Sequence, residues 1–128
     1  MNYKHIILTR FNLQYDLQSN IHIQDSWLEE RFRLFEQYCF PSIIAQTNQQ
    51  FDWVILVSDQ TPKNYLSRLA KHTDSHLNIY IELCTYYEDV NVLYNNIGEK
   101  YVHGYDYLLS TRVDNDDMLA KDFVETLQ

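Results

Sequence analysis

Glycine is scarce in this 128-residue chain: there are two, beside two prolines and two cysteines. So little glycine leaves scant material for a glycine-rich phosphate loop, and neither G-x-G-x-x-G nor G-x-x-x-x-G-K occurs. Cys39 and Cys84 stand far apart with no C-x-x-C between them. They fit reduced core thiols of a cytoplasmic protein, with a single disulfide left open. Basic residues are outnumbered, ten Lys and Arg against eighteen Asp and Glu, for a formal net charge of -8. That balance disfavours a nucleic-acid surface, which needs a basic stripe, and is compatible with divalent-cation binding. Long apolar runs are missing as well. The opening MNYKHIILTRFN is too weakly apolar for a signal peptide. No stretch approaches the ~20 apolar residues of a membrane span. The expected location is the cytoplasm, or the inner face of a membrane if the protein is longer.

What is present is a foldable core. Hydrophobic residues make up 45% of the chain, eleven of them tyrosines. This length suits one domain, residues 1–128. Residues 5–8 form a short β-branched apolar run, and 51–57 (FDWVILV), 77–83 and 105–113 read as three further strands. Between them lie helical patterns. Ser26 and Glu29 fit a capping box ahead of Leu28, Phe32, Phe35 and Cys39 at helical spacing. Pro41 interrupts that pattern and predicts a kink or a second helix. Pro62 suits the first turn of a helix carrying Tyr65, Leu66 and Leu69. A helix over 90–102 closes at Gly104, and another begins at Leu119. Strand and helix alternate, which predicts an α/β three-layer sandwich with a mainly parallel sheet. In such sheets ligands bind beyond the carboxyl ends of the strands. Those ends are Thr9-Arg10, Ser58-Asp59, Cys84-Thr85 and 112–117.

The last of these is the most informative stretch. In STRVDNDDML, an arginine and three aspartates follow an apolar strand within six positions, 112–117. One reading is structural: Asp and Asn cap helices, and a helix is expected immediately afterwards. An EF-hand is excluded, because Met118 would occupy a ligand position and Leu119 the place of the obligatory glycine. The other reading is a metal site. Oxygen ligands without nearby Cys or His suit Mg²⁺ or Mn²⁺, which often take one or two carboxylates and complete their shell from substrate phosphates.

Two longer stretches, PSIIAQTNQQFDWVILVSDQTP and YNNIGEKYVHGYDYLLSTRVDNDD, resemble the nucleotide-binding half of a GT-A (Rossmann-like) glycosyltransferase of the family 2 type. The forms TRVDNDD and LTRFN are most similar to the rhamnosyltransferase family. The resemblance implies a domain that binds a nucleoside-diphosphate sugar through Mn²⁺ or Mg²⁺ for transfer to a saccharide acceptor. It assigns Thr9 and Arg10 to the nucleotide and Asp59 to the base. Asn96 and Gly98 face the donor, Asp114 lies by the ribose or metal, and Asp116 is the principal metal ligand. Asp117 caps the next helix or supports the site. Asn95 stands where that family has Arg, so Arg10 or Arg112 is the candidate for the diphosphate contact. The acceptor half and its general base are expected beyond Gln128, leaving a GT-A sheet cut after the D-x-D motif. Such a chain is expected to be inactive alone and to self-associate through its exposed edge.

Plainer readings stand beside these. Arg10 and Arg112 equally fit surface ion pairs, and Asp59 fits a turn before Thr61-Pro62. His72 and His76 are four apart but lack the glutamate of H-E-x-x-H, which favours solvated histidines. Tyr86 or Tyr87 is a candidate for stacking on a base. A non-catalytic binding or oligomerising module, and a different α/β enzyme of phosphoryl transfer, remain the competing functions.

Overall fold

The computed structural model describes residues 3–13, 19–84, 90–101 and 104–128. Strand β1 (Tyr3–Arg10) is followed by a 3₁₀ turn (Ile21–Ile23) and a long helical stretch. This comprises α1 (Asp25–Leu34), a π turn (Phe35–Cys39) and α2 (Phe40–Ile44). Then come β2 (Asp52–Ser58), α3 (Lys63–Thr73), β3 (Ile79–Cys84), α4 (Val90–Tyr101), β4 (Tyr107–Arg112) and a short α5 (Phe123–Leu127). The four strands form one sheet in the order β3-β2-β1-β4, and every pairing is parallel. The fold is α/β and Rossmann-like, as the strand-helix alternation predicts.

A parallel sheet buried on both faces favours strands with continuous apolar runs, and residues 6–8 of β1 and 53–57 of β2 supply them. Alternate residues serve opposite layers. Ile7, Trp53, Ile55 and Val57 pack with Leu28, Phe32, Phe35, Ile43, Tyr65 and Leu69 from α1 to α3. Ile6, Leu8, Val54 and Leu56 pack with Ile97 and Tyr101 of α4 on the other side. Each fully buried Ile or Leu contributes about 1.5–3 kcal/mol, so this central pair of strands anchors the domain. Trp53, 0% exposed, is the largest core side chain, and Phe35 and Phe40 lie beside it at 5.7 and 6.1 Å between ring centroids.

Two local expectations are corrected and one is met. Ser26 is not the cap of α1: Gln24 is, with extended backbone and no side-chain cap bond, and Asp25 opens the helix. Pro41 lies in the first turn of α2 (Phe40–Ile44), the second helix that its position predicts. Its missing N–H is accommodated beside the π turn, where Phe40 N–H reaches back five residues to Phe35 O. The helix expected from Leu119 begins only at Phe123, its cap Asp122 making no side-chain bond. The backbone of the preceding segment is engaged elsewhere. Leu119 N–H donates to Ser42 Oγ (3.1 Å), Thr47 N–H to Lys121 O (2.8 Å), and the Gln46 amide to Ala120 O (2.6 Å). Gly104 takes φ +85°, a conformation that L side chains rarely adopt, after α4 as its position predicts. No helix among the described residues is long and apolar enough to cross a membrane.

Candidate functional site

All four strands run the same way, so their carboxyl ends share one edge of the sheet. Leu8 pairs with Arg112, Arg10 with Leu56 and Ser58 with Cys84. The order β3-β2-β1-β4 also means that successive strands are laid to one side of β1 until β4, which joins its other side. The helices before the reversal pack on one face, and α4 packs on the other. The strand order thus switches between β1 and β4, and the chains leaving both strands pack on the α1–α3 face, with Phe11, Val113 and Val124 in one core. A cleft of about 280 Å³ lies by these two strand ends, lined by Arg10, Phe11, Trp27, Arg31, Asp114, Asn115 and Asp116.

Two buried asparagines hold its walls. Asn12 is 1% exposed; its amide donates to Thr61 Oγ1 (2.7 Å) and His22 O (3.0 Å), and its carbonyl accepts from Ser58 N–H (3.1 Å). Asn115, 4% exposed, donates to Phe11 O at 2.9 Å. Val113 N–H continues the ladder to Leu8 O at 2.9 Å. The segments after β1, β2 and β4 are thereby tied to one another rather than left as independent loops.

Asp114, Asp116 and Asp117 project from this framework into solvent. Asp117 Oδ2 accepts from Asp114 N–H (3.0 Å), and Asp117 N–H donates to Asp114 O (3.0 Å), a reciprocal pair that closes a turn. Asp117 thus caps a turn rather than a helix, because α5 starts six residues later at Phe123. The helix-cap explanation of the acidic cluster fails for the same reason. One carboxylate oxygen from each of the three lies within 4.8 Å of the others. At that spacing each like-charged pair repels by about 1 kcal/mol in water and by roughly 3 at an effective dielectric of 20. A hard divalent cation is the counter-ion that such an all-oxygen set fits. Cys39 sits directly beneath, its thiol 3.6 Å from Asp114 O. Burial, reinforced by the three aspartates, pushes that thiol up to about 12, so it stays protonated and does not compete as a soft ligand.

Sequence reasoning placed Arg10, Asp114 and Asp116 together, and the cleft contains all three. Asp59 is exposed at the same sheet edge, beyond β2, with its N–H bonded to Cys84 O (2.9 Å). Thr9 is elsewhere: it is 0% exposed, and its hydroxyl accepts from the Trp53 indole N–H at 2.9 Å, so it belongs to the core beneath the edge. Arg112 is exposed and outside the cleft lining, in register with Leu8. Asn95 and Asn96 are exposed on α4, the helix that also carries Gly98, and they do not line the cleft either. Tyr86 and Tyr87 lie outside the described residues, as does Thr85. His72 pairs with Glu36 at 2.5 Å and, like His76, packs on the Phe40 ring. Neither histidine belongs to the one group of three or more metal-competent side chains among the described residues.

Two cleft residues were missed. Trp27 and Arg31 are a turn apart on α1, with the guanidinium 5.0 Å from the indole ring centre and 3.6 Å from Asp116 Oδ2. Their i, i+4 spacing, just off the buried Leu28–Phe32 line, was the available signal.

The model of the family described as putative rhamnosyl transferase matches residues 4–128. The chain belongs to that family. No curated protein and no solved structure matches it. For this rhamnosyl transferase family member, sugar substrates are the setting in which the cleft is read.

Proposed function

We propose that the chain is the donor-binding part of a glycosyltransferase, taking a nucleoside-diphosphate sugar whose glycosyl group passes to a saccharide acceptor. The observation that carries this reading is the mixed lining of the switch-point cleft: two guanidinium groups and two carboxylates around one crevice, in a member of this family. A diphosphate needs cationic partners, and carboxylates beside it are tolerable when a divalent cation lies between.

In this reading Asp114 and Asp116 hold Mn²⁺ or Mg²⁺, with Asp117 fixing the turn that presents them. The cation supplies Lewis-acid neutralisation of the departing diphosphate. Arg10 meets the phosphates from the end of β1. In the same reading Asp59, one strand over, meets the base, and Asn96, on α4 outside the cleft lining, meets the donor. Thr9 supports the edge from below, and Arg112 adds positive charge near it. Rhamnose as the transferred sugar rests on the family's description alone. A second reading, a non-catalytic self-associating module, is favoured by one feature. Tyr107, Leu108 and Leu127, which are 59, 44 and 42% exposed, border an apolar groove along edge strand β4.

Calorimetry separates the two. The transferase reading expects Mn²⁺ to tighten thymidine diphosphate binding at least tenfold, and Asp116→Ala to abolish that coupling. Equal binding of the pair by parent and variant would leave the acidic turn a surface loop and favour the module.

A further inference from the structure

Arg31 is anchored from two sides. Its guanidinium lies 5.0 Å from the centre of the Trp27 ring and 3.6 Å from Asp116 Oδ2, and it lines the same cleft as Arg10. The ion pair is half-open, with side-chain exposures of 33% and 43%, and 3.6 Å is long for a charge-assisted hydrogen bond. Such a contact is weak and exchangeable. Asp116 therefore stands between two cationic claims, that of Arg31 and that of a divalent cation on the carboxylate turn. A guanidinium displaced from Asp116 keeps its place over Trp27, because a cation–π contact does not depend on the carboxylate. Its planar fork of donors then faces the crevice, and the group it fits best there is a phosphate.

We propose that Arg31 binds the diphosphate alongside Arg10 and that it competes with the divalent cation for Asp116. This rests on the donor-binding reading above and adds to it a residue and a rule of exchange. Cation binding costs the Arg31–Asp116 pair, and diphosphate binding gives Arg31 a new anionic partner. Cation and diphosphate therefore favour each other through one side chain, besides any ligation they share. Asn95, exposed on α4, offers no cationic group for this purpose.

The test is a pair of titrations whose signs differ. Mn²⁺ alone is followed by the loss of its free-ion electron paramagnetic resonance signal. Thymidine diphosphate is followed by calorimetry at saturating Mn²⁺. Arg31→Gln is expected to bind Mn²⁺ alone about two- to tenfold tighter, since a neighbouring positive charge is gone. The same variant is expected to bind thymidine diphosphate roughly 10- to 100-fold more weakly, the worth of a lost charge-assisted contact. Arg31→Lys keeps the charge but loses the fork, so Mn²⁺ affinity stays near the parent's while thymidine diphosphate affinity falls. A purely structural role for Arg31 would weaken both ligands together and overturn the proposal. So would an Arg31→Gln chain that binds both as the parent does, provided Asp116→Ala still loses Mn²⁺. If Asp116→Ala leaves Mn²⁺ binding unchanged, the donor-site reading falls first and the proposal with it.

Discussion

A single carboxamide, that of Asn12, joins the ends of two strands to the 3₁₀ turn, satisfying Ser58 N–H, Thr61 Oγ1 and His22 O from one buried position. Replacing it by alanine leaves Ser58 N–H without its acceptor in a dry site. Asn12→Ala is expected to cost about 1–3 kcal/mol, read as a lower urea midpoint at unchanged slope. A midpoint equal to the parent's would mean that water replaces the amide without loss. Residue roles of this kind were poorly legible in the sequence. Asn12 and Asn115 look like loop asparagines until burial is known, and nothing in a string of letters distinguishes a rivet from a turn. Thr9 misled in the opposite sense. It ends a strand beside Arg10, but the pleat sends its side chain to the Trp53 layer, where the indole N–H needs an acceptor. Arg31 was hidden because specificity at an exposed helix position comes from what another segment, here the turn bearing Asp116, brings to it.

Elements were more legible than their limits. Apolar runs and helical spacing marked every strand and the three longer helical stretches (25–44, α3 and α4), since those periods follow directly from burial. The segment after β4 defeated the pattern. Its sequence has helical spacing from Leu119, but Ser42, Gln46 and Thr47 claim the backbone groups that a helix would use. Gln46 is 4% exposed, with its amide nitrogen donating to Ser42 O and Ala120 O and its oxygen accepting from Val124 N–H. Cutting that side chain back releases the strap that holds the segment following the acidic turn. Gln46→Ala is expected to speed amide hydrogen exchange at residues 119–124 at least tenfold, with smaller changes in β1 and β2. Exchange in 119–124 matching the parent's would assign the restraint to apolar contacts of Val124 and Phe123 instead.

For the molecule as a whole, parallel pairing and strand order decide where a site can be. The alternation implied the first, while the crossover packing that reverses at β4 fixes the second, and only the order identifies which two strand ends frame the crevice. The same global packing sets the response to acid. His5 of β1 is 2% exposed; its Nδ1 accepts from the Gln128 amide (3.0 Å), which leaves Nε2–H to donate to Thr111 Oγ1 of β4 (2.9 Å). Burial lowers its pKa below the ordinary imidazole value, and burial lowers that of His22 too. The folded protein therefore holds both imidazoles neutral, and the unfolded chain takes up protons first. Stability from this source is complete above about pH 6.5 and declines as pH falls below it. The urea midpoint is expected to be lower at pH 5.5 than at pH 7.5, with the carboxylates still mostly ionised. A midpoint higher at pH 5.5 than at pH 7.5 would place the tighter protonation in the fold and refute the assignment.

The π turn at Phe35–Cys39 has a consequence for phase. On an unbroken α-helix, the residue seven beyond Arg31 returns to its side within about 20°, and that residue is Tyr38, which is 40% exposed. The extra residue held in the wider turn moves this role to Cys39, whose thiol meets Asp114 O, with Ser42 and Gln46 following along the same side. One rod can thus hold the floor of the carboxylate turn with its later residues while aiming a guanidinium at the rim with its earlier ones. A chain one residue shorter between 35 and 39 would keep both helices and both sets of side chains. It would rotate one set away from the other by about 100°, and the acidic turn would lose either its floor or its arginine.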